Sequence, residues 1–289
     1  MLIPARMRTF AKLLFEAAKR WRADNAMRLS ASMALYTVLS LAPLLVITIK
    51  IMSALLGEEA ATGEVNNQVT ELLGKKGAEA VSEMVAESYK SSSGWTVAVV
   101  SMVVLLFSAS AVFNELRDSL NTLWGIKPHP DAGWLAGIRN RFQSIGMVFV
   151  IGFLLLVSQG ISIALSAAGD KILGGSSWLA ILSDILLSLL VITALFTAIF
   201  RFLPDARIAW QDALMGGLVT AVLFKIGQYL QALYFTFGAT GSAAGLAGSF
   251  MVVLLWIYYS CWIFFYGAEF TLVYAAWRGK PIRAEGRSA

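Results

Sequence analysis

Six apolar stretches, each long enough to cross a bilayer, constrain what this chain of 289 residues can fold into. They run at about Ala31–Leu56, Trp95–Phe113, Phe142–Ala167, Trp178–Leu203, Ala213–Phe237 and Ser249–Trp277. A helix needs about 20 apolar residues to cross the hydrocarbon layer. Composition agrees, with 58% hydrophobic residues, only 14% charged and a mean hydropathy of +0.70. A soluble domain carries about 45–50% apolar and about 25% charged residues. Alternation of polar and apolar residues at period two is absent, which argues against a membrane barrel. Helices satisfy their own backbone hydrogen bonds in lipid. The predicted fold is therefore all-α: a polytopic six-helix transmembrane bundle with an N-terminal amphipathic helix and a small helical extracytoplasmic insertion.

The net charge of +5 is a matter of topology. Seventeen Lys and Arg fall on one side of the predicted bundle: the N-terminal segment, the 114–141 connection, the turn after the fourth span and the tail. The other side holds only Lys75, Lys76, Lys90 and Lys171. Basic loops stay in the cytoplasm, so both termini are expected there. Trp95, Trp178, Trp210 and Trp277 stand at span ends, the depth that amphipathic aromatics favour.

Three segments lie outside the spans: a cytoplasmic 1–30, an insertion at 57–94 and a tail at 278–289. The first lacks the uninterrupted apolar core of a signal peptide. Its Phe10, Leu13, Leu14, Ala17, Ala18 and Trp21 recur on one face of a helix, with Lys12, Lys19, Arg20 and Arg22 largely on the others. Such a helix can lie on anionic lipid headgroups or pack under the bundle. The insertion is acidic, with seven glutamates against three lysines, and reads as two short helices. Its size is too small for an enzyme domain, and its acidity argues against nucleic acid. The uncharged Gly238–Gly248 connection reads either as a tight turn or as a re-entrant segment; Gly241 and Gly245 have small-xxx-small spacing.

Ionisable residues within spans are costly and mark candidate sites. Lys225 sits near the midplane of the fifth span, and Glu269 lies eight residues from the inner end of the sixth. The two are expected to face the bundle interior, in one polar cavity with Gln228 and Gln159, and Arg201 competes as the partner of Glu269. A structural ion pair is the other reading of the same charges. Lys50 and Asp184 each lie six residues from an outer span end, at matching depth, as a candidate outer ion pair or as two independently snorkelling groups. Pro43 predicts a kink in the first span.

Other chemistries find little support. One cysteine, Cys261, and one histidine, His129, permit neither an intrachain disulfide nor a multi-histidine metal centre, and no cofactor is implied. A phosphate-binding GxxxxGK[ST] loop is absent. Glu115, Asp118, Asp131, Asp205 and Asp212 are scattered over cytoplasmic turns, unlike the clustered carboxylates of a metal-dependent nuclease.

Four blocks of sequence carry a family likeness. ASMALYTVLSLAPLL (Ala31–Leu45), SASAVFNELRDSLNTLWGI (Ser108–Ile126), FRFLPDARIAWQDAL (Phe200–Leu214) and GSFMVVLLWIYYSCWIFFYGAEF (Gly248–Phe270) resemble, in order and spacing, the YihY/BrkB family of bacterial inner-membrane proteins. The resemblance implies a six-span inner-membrane protein without an accepted catalytic motif. Members have been labelled ribonuclease BN or a serum-resistance factor, and lipid export has been proposed for a relative. Pro43, Arg201, Pro204 and Glu269 stand at family-like positions.

The leading functional expectation is a passive or ion-coupled path for a lipid or other amphiphile in envelope biogenesis. The alternative is a scaffold for envelope partners that moves nothing, and the third reading is the ribonuclease label. Expected partners are membrane lipids, with anionic headgroups at the N-terminal helix and no nucleic acid. An enzyme is not expected.

Overall fold

In the computed structural model the described residues are 5–40, 111–126, 177–238 and 245–284, with positions 63, 66, 67, 70, 78, 79, 82 and 83. Helix dominates them. The helices are α1 (Ala5–Ala23), α2 (26–40), α3 (111–123), α4 (Ser177–Phe202), α5 (Trp210–Gly238) and α6 (Gly245–Trp277). Among the described residues, three segments are long and apolar enough to cross a membrane: Ile185–Phe202 in α4, Trp210–Leu230 in α5 and Val253–Trp277 in α6. They coincide with the fourth, fifth and sixth predicted spans. The third span and most of the second lie outside the described residues. So do the outer part of the first span, with Pro43 and Lys50, and most of the 57–94 insertion.

Helix ends follow from local chemistry. α1 stops at Asp24 and Asn25, where Asn25 takes a left-handed conformation at φ 55°. Asparagine tolerates that region, and Arg20 and Arg22 complement the negative end of the helix dipole. α3 and α6 end in the same motif. Gly125 (φ 64°) and Gly279 (φ 74°) reverse the chain. The next amides, of Ile126 and Lys280, donate back to the carbonyls of Asn121 (2.8 Å) and Ala275 (2.9 Å). This arrangement satisfies carbonyls that a helix end otherwise leaves bare, and glycine adopts it without a Cβ penalty. Past α6 the chain turns back, and Arg283–Ala284 pairs antiparallel with Ala206–Arg207 in the turn between α4 and α5.

The chain packs as two units. The first comprises Met1–Ala26, Arg117–Lys225 and Ile263–Ala289; the second comprises Met27–Leu116 and Ile226–Trp262. α5 and α6 contribute to both.

The core of the first unit is aromatic. Phe196 and Phe200 of α4 pack against Phe264 of α6, with ring centroids 5.8 and 5.1 Å apart. Phe224 of α5 meets Phe196 edge-on, and Trp124 meets Phe200 in the same manner. Without a hydrophobic driving force between helices in lipid, such van der Waals contact must hold the spans together.

Glycines set the helix spacing. On α5, Gly216 lies under Thr271 of α6, and on α6 Gly267 lies under Thr220 of α5; a Cβ on either glycine would overlap the opposing hydroxyl. Each hydroxyl is already satisfied, donating to the glycine carbonyl one turn earlier in its own helix: Thr220 to Gly216 (2.7 Å) and Thr271 to Gly267 (2.8 Å). The adjacent Gly217 faces α4, where a Cβ would come 2.8 Å from the Thr197 nitrogen and 2.9 Å from the Thr193 oxygen. Two consecutive glycines thus let α5 approach α6 on one side and α4 on the other.

In the second unit, Ala34 and Val38 of α2 pack on Val253 and Ile257 of α6. Leu35, Leu39 and Leu255 remain exposed, as apolar positions facing lipid do.

Candidate functional site

The first unit contains a fully buried carboxylate, Glu269. It sits on α6 within the candidate span, flanked by residues that three elements hold in place. Leu13 and Ala17 of α1 bury against Phe270 and Val273 of α6. Tyr266 donates its hydroxyl to the Leu14 carbonyl at 2.9 Å. The buried indole of Trp124, just past the end of α3, donates Nε1–H to the Ala268 carbonyl at 3.1 Å.

Arg20 completes the site. Its Nε donates to Glu269 Oε2 at 3.2 Å, and its Nη2 lies 3.8 Å from Asp24 Oδ2 one turn later in the chain. The guanidinium therefore bridges an exposed acid and a buried one. Glu269 Oε1 has no hydrogen-bond partner among the described residues. A carboxylate removed from water must have its charge offset by a cation or a proton. Here α1, outside the candidate spans, supplies the cation.

Two further ion pairs among the described residues lie within the first unit. Arg117 of α3, itself buried, forms a bidentate pair with Asp205 beyond α4, with Nε 2.9 Å from Oδ2. Asn121 locks the same loop reciprocally: its Nδ2 donates to Asp205 Oδ2 (2.9 Å), and its Oδ1 accepts from the Asp205 amide (3.0 Å). Arg278, just beyond α6, donates to Asp212 in the first turn of α5 at 2.7 Å and also to Gln211. Asp212 is buried and stands where an acid suits the helix dipole.

The residues singled out from sequence fall in different places. Among the described residues Glu269 pairs with Arg20, and neither Lys225 nor Arg201 reaches it. Lys225 is half-buried on α5, and Gln228 is half-buried one turn further along that helix. Arg201 donates Nη1–H to the Ile208 carbonyl and lays its guanidinium 5.8 Å from the ring centre of Trp210. It caps the turn between α4 and α5. Asp184 is a residue of α4 whose side chain lies outside the described residues, as do Gln159, Lys50 and Pro43 altogether.

Arg20, Asp24 and the Arg117–Asp205 pair were not expected to act as partners. One signal existed for Arg20: it follows Ala17 by three residues, which places it at the edge of the apolar face.

The chain resembles known proteins over nearly its whole length. A family model described as Virulence factor BrkB matches residues 17–289. A UPF0761 membrane protein of Rhodospirillum centenum is 26% identical over 288 residues, covering 98% of this chain and 62% of that protein. One from Psychromonas ingrahamii is 28% identical over 267 residues, covering 91% and 87%. The UPF0761 membrane protein YihY of Salmonella typhimurium is 26% identical over 188 residues, covering 64% and 62%. The chain spans about three-fifths of the length of most of the curated relatives it matches. No solved structure matches.

Proposed function

The chain belongs to the BrkB family of membrane proteins, and from that premise we propose that it forms a passive or ion-coupled path for a lipid or other amphiphile. The setting is a bacterial inner membrane with both termini in the cytoplasm. The observation that carries the reading is the buried Glu269, held by the Arg20 guanidinium from α1, with one oxygen that has no hydrogen-bond partner among the described residues. A carboxylate used only to fix the bundle gains from having all its lone pairs satisfied. One that exchanges a proton, a cation or an amphiphile's ammonium needs a free oxygen and a countercharge that can be replaced. Arg20, on a helix outside the spans and half exposed, is such a countercharge.

The scaffold reading draws support from a different observation. Aromatic packing around Phe200 and the reciprocal glycine–threonine seam make the first unit densely filled at that level. The ribonuclease label draws none. Asp205 and Asp212, two of the acids a nuclease would require, are committed to Arg117 and Arg278.

Reconstitution tests the proposal. Purified protein in liposomes with fluorescent phosphatidylethanolamine or phosphatidylglycerol should raise the rate of lipid movement between leaflets several-fold. Glu269→Gln should remove most of that increase. Equal rates in protein-containing and empty vesicles would sink the transport reading in favour of the scaffold.

A further inference from the structure

We propose that the outward face of α1 is a docking surface for anionic phospholipid, centred on Phe15. The sequence suggests that the apolar stripe of this helix meets either lipid or protein. In the structure α6 takes that stripe, with Leu13 and Ala17 buried against it. At about 100° per residue, Phe15 points directly away from those two side chains. It is 74% exposed, more than any other large apolar side chain among the described residues. The next most exposed, Tyr229 and Leu190, sit in candidate spans, where lipid tails cover them. Phe15 is in no span, so a different apolar phase must cover it.

Charge and depth identify that phase. Lys12, Lys19 and Arg22 fall within about 60° of Phe15 around the helix axis, and all three are exposed. The acid of the helix, Glu16, stands to the side, about 100° away by the same spacing. An aromatic ringed by three cations suits the boundary between phosphate headgroups and acyl chains, where the ring inserts and the long basic side chains reach the phosphates. α1 also lies at that level. Phe270 and Val273, against which Leu13 and Ala17 bury, belong to the last turns of the span Val253–Trp277. They lie roughly 10 and 6 Å from its end at about 1.5 Å per residue. A helix clasped there, with its back to α6, turns its other face to the surrounding lipid. The inference rests on α6 crossing the membrane and is independent of what the protein moves.

A spin label reports the depth directly. The full chain with Cys261→Ser and Phe15→Cys is labelled and placed in nanodiscs of phosphatidylcholine, with or without 30% phosphatidylglycerol (roughly the anionic fraction that gives a leaflet its negative surface potential). With the anionic lipid the label should be several-fold more accessible to oxygen than to an aqueous nickel chelate. That ratio should fall toward the aqueous value in the neutral nanodisc, and likewise with Lys12→Ser, Lys19→Ser and Arg22→Ser combined. Added phosphatidylglycerol should also raise the unfolding temperature of the parent chain in detergent and leave that of the triple variant unchanged. A label freely accessible to nickel in the anionic nanodisc would overturn the proposal and assign the face to a soluble acidic partner. Equal shielding in both lipids would also overturn it, leaving burial without anion recognition.

Discussion

Arg20 and Glu269, 249 positions apart in the chain, meet at 3.2 Å, so an N-terminal helix outside the spans supplies the countercharge for a carboxylate buried in the last of them. The two partners are unequal. Glu269 is wholly shielded, whereas Arg20 keeps nearly half its side-chain surface in solvent. Losing the arginine strands a buried charge; losing the acid leaves a cation that water can serve.

Arg20→Gln should therefore destabilise the protein by about 1–3 kcal/mol, the cost of an unpaired buried group discounted for the exposed partner. Glu269→Gln should cost less, and the double variant should be less damaged than Arg20→Gln alone. Unfolding in mixed micelles, followed by circular dichroism, measures all three. Additive losses would show that the two residues act separately.

Arg117 and Asp205 should show the opposite asymmetry, because here the cation is the buried member. Asp205→Asn should cost about 2–4 kcal/mol, more than Arg117→Met, whose remaining carboxylate can hydrate. Asn121→Ala should add to either, since it releases both hydrogen bonds that fix the loop. Denaturant midpoints at constant slope give the ranking.

Gly267→Ala should destabilise by about 1–3 kcal/mol through overpacking against the Thr220 hydroxyl. Thr220→Ala in the same chain should recover much of the loss, because the added methyl then fills the space the hydroxyl vacates. Gly216→Ala with Thr271→Ala should behave alike. Failure of both rescues would place the clash elsewhere.

Orientation is testable with single cysteines in a Cys261→Ser background. If basic segments stay inside, a cysteine at Thr70 should react with an impermeant thiol reagent on intact spheroplasts. One at Arg287 should react only after the membrane is opened. The reverse pattern would invert the topology.

The apolar runs ending at Leu203, Phe237 and Trp277 were legible because a bilayer imposes a length on them, and the described helices α4, α5 and α6 occupy those places. The partner of Glu269 was not. Span residues invite comparison with other span residues, and Arg20 reads as one of many basic residues that set topology. Helix register held the missing clue, since Arg20 borders the face carrying Leu13 and Ala17. Small-residue spacing also marks Gly241 and Gly245, and Gly241 lies outside the described residues. The seam lies at Gly216 and Gly267, each with a threonine one turn later, and a pattern made of glycine with threonine is easily lost in an alanine-rich span.

The seam between α5 and α6 also limits how the first unit can move. Each threonine is a peg seated in a socket on the opposite helix, and the two pegs point in opposite directions. Sliding along the common axis would carry each hydroxyl out of its glycine socket, and beside the Gly267 socket the Thr220 hydroxyl would meet Tyr266 or Ala268, both larger than hydrogen. The pair behaves as a detent: it can pivot about the pegs but resists sliding. Any working cycle must then turn these two helices as one hinge leaf at this level, leaving translation to elements without such a catch.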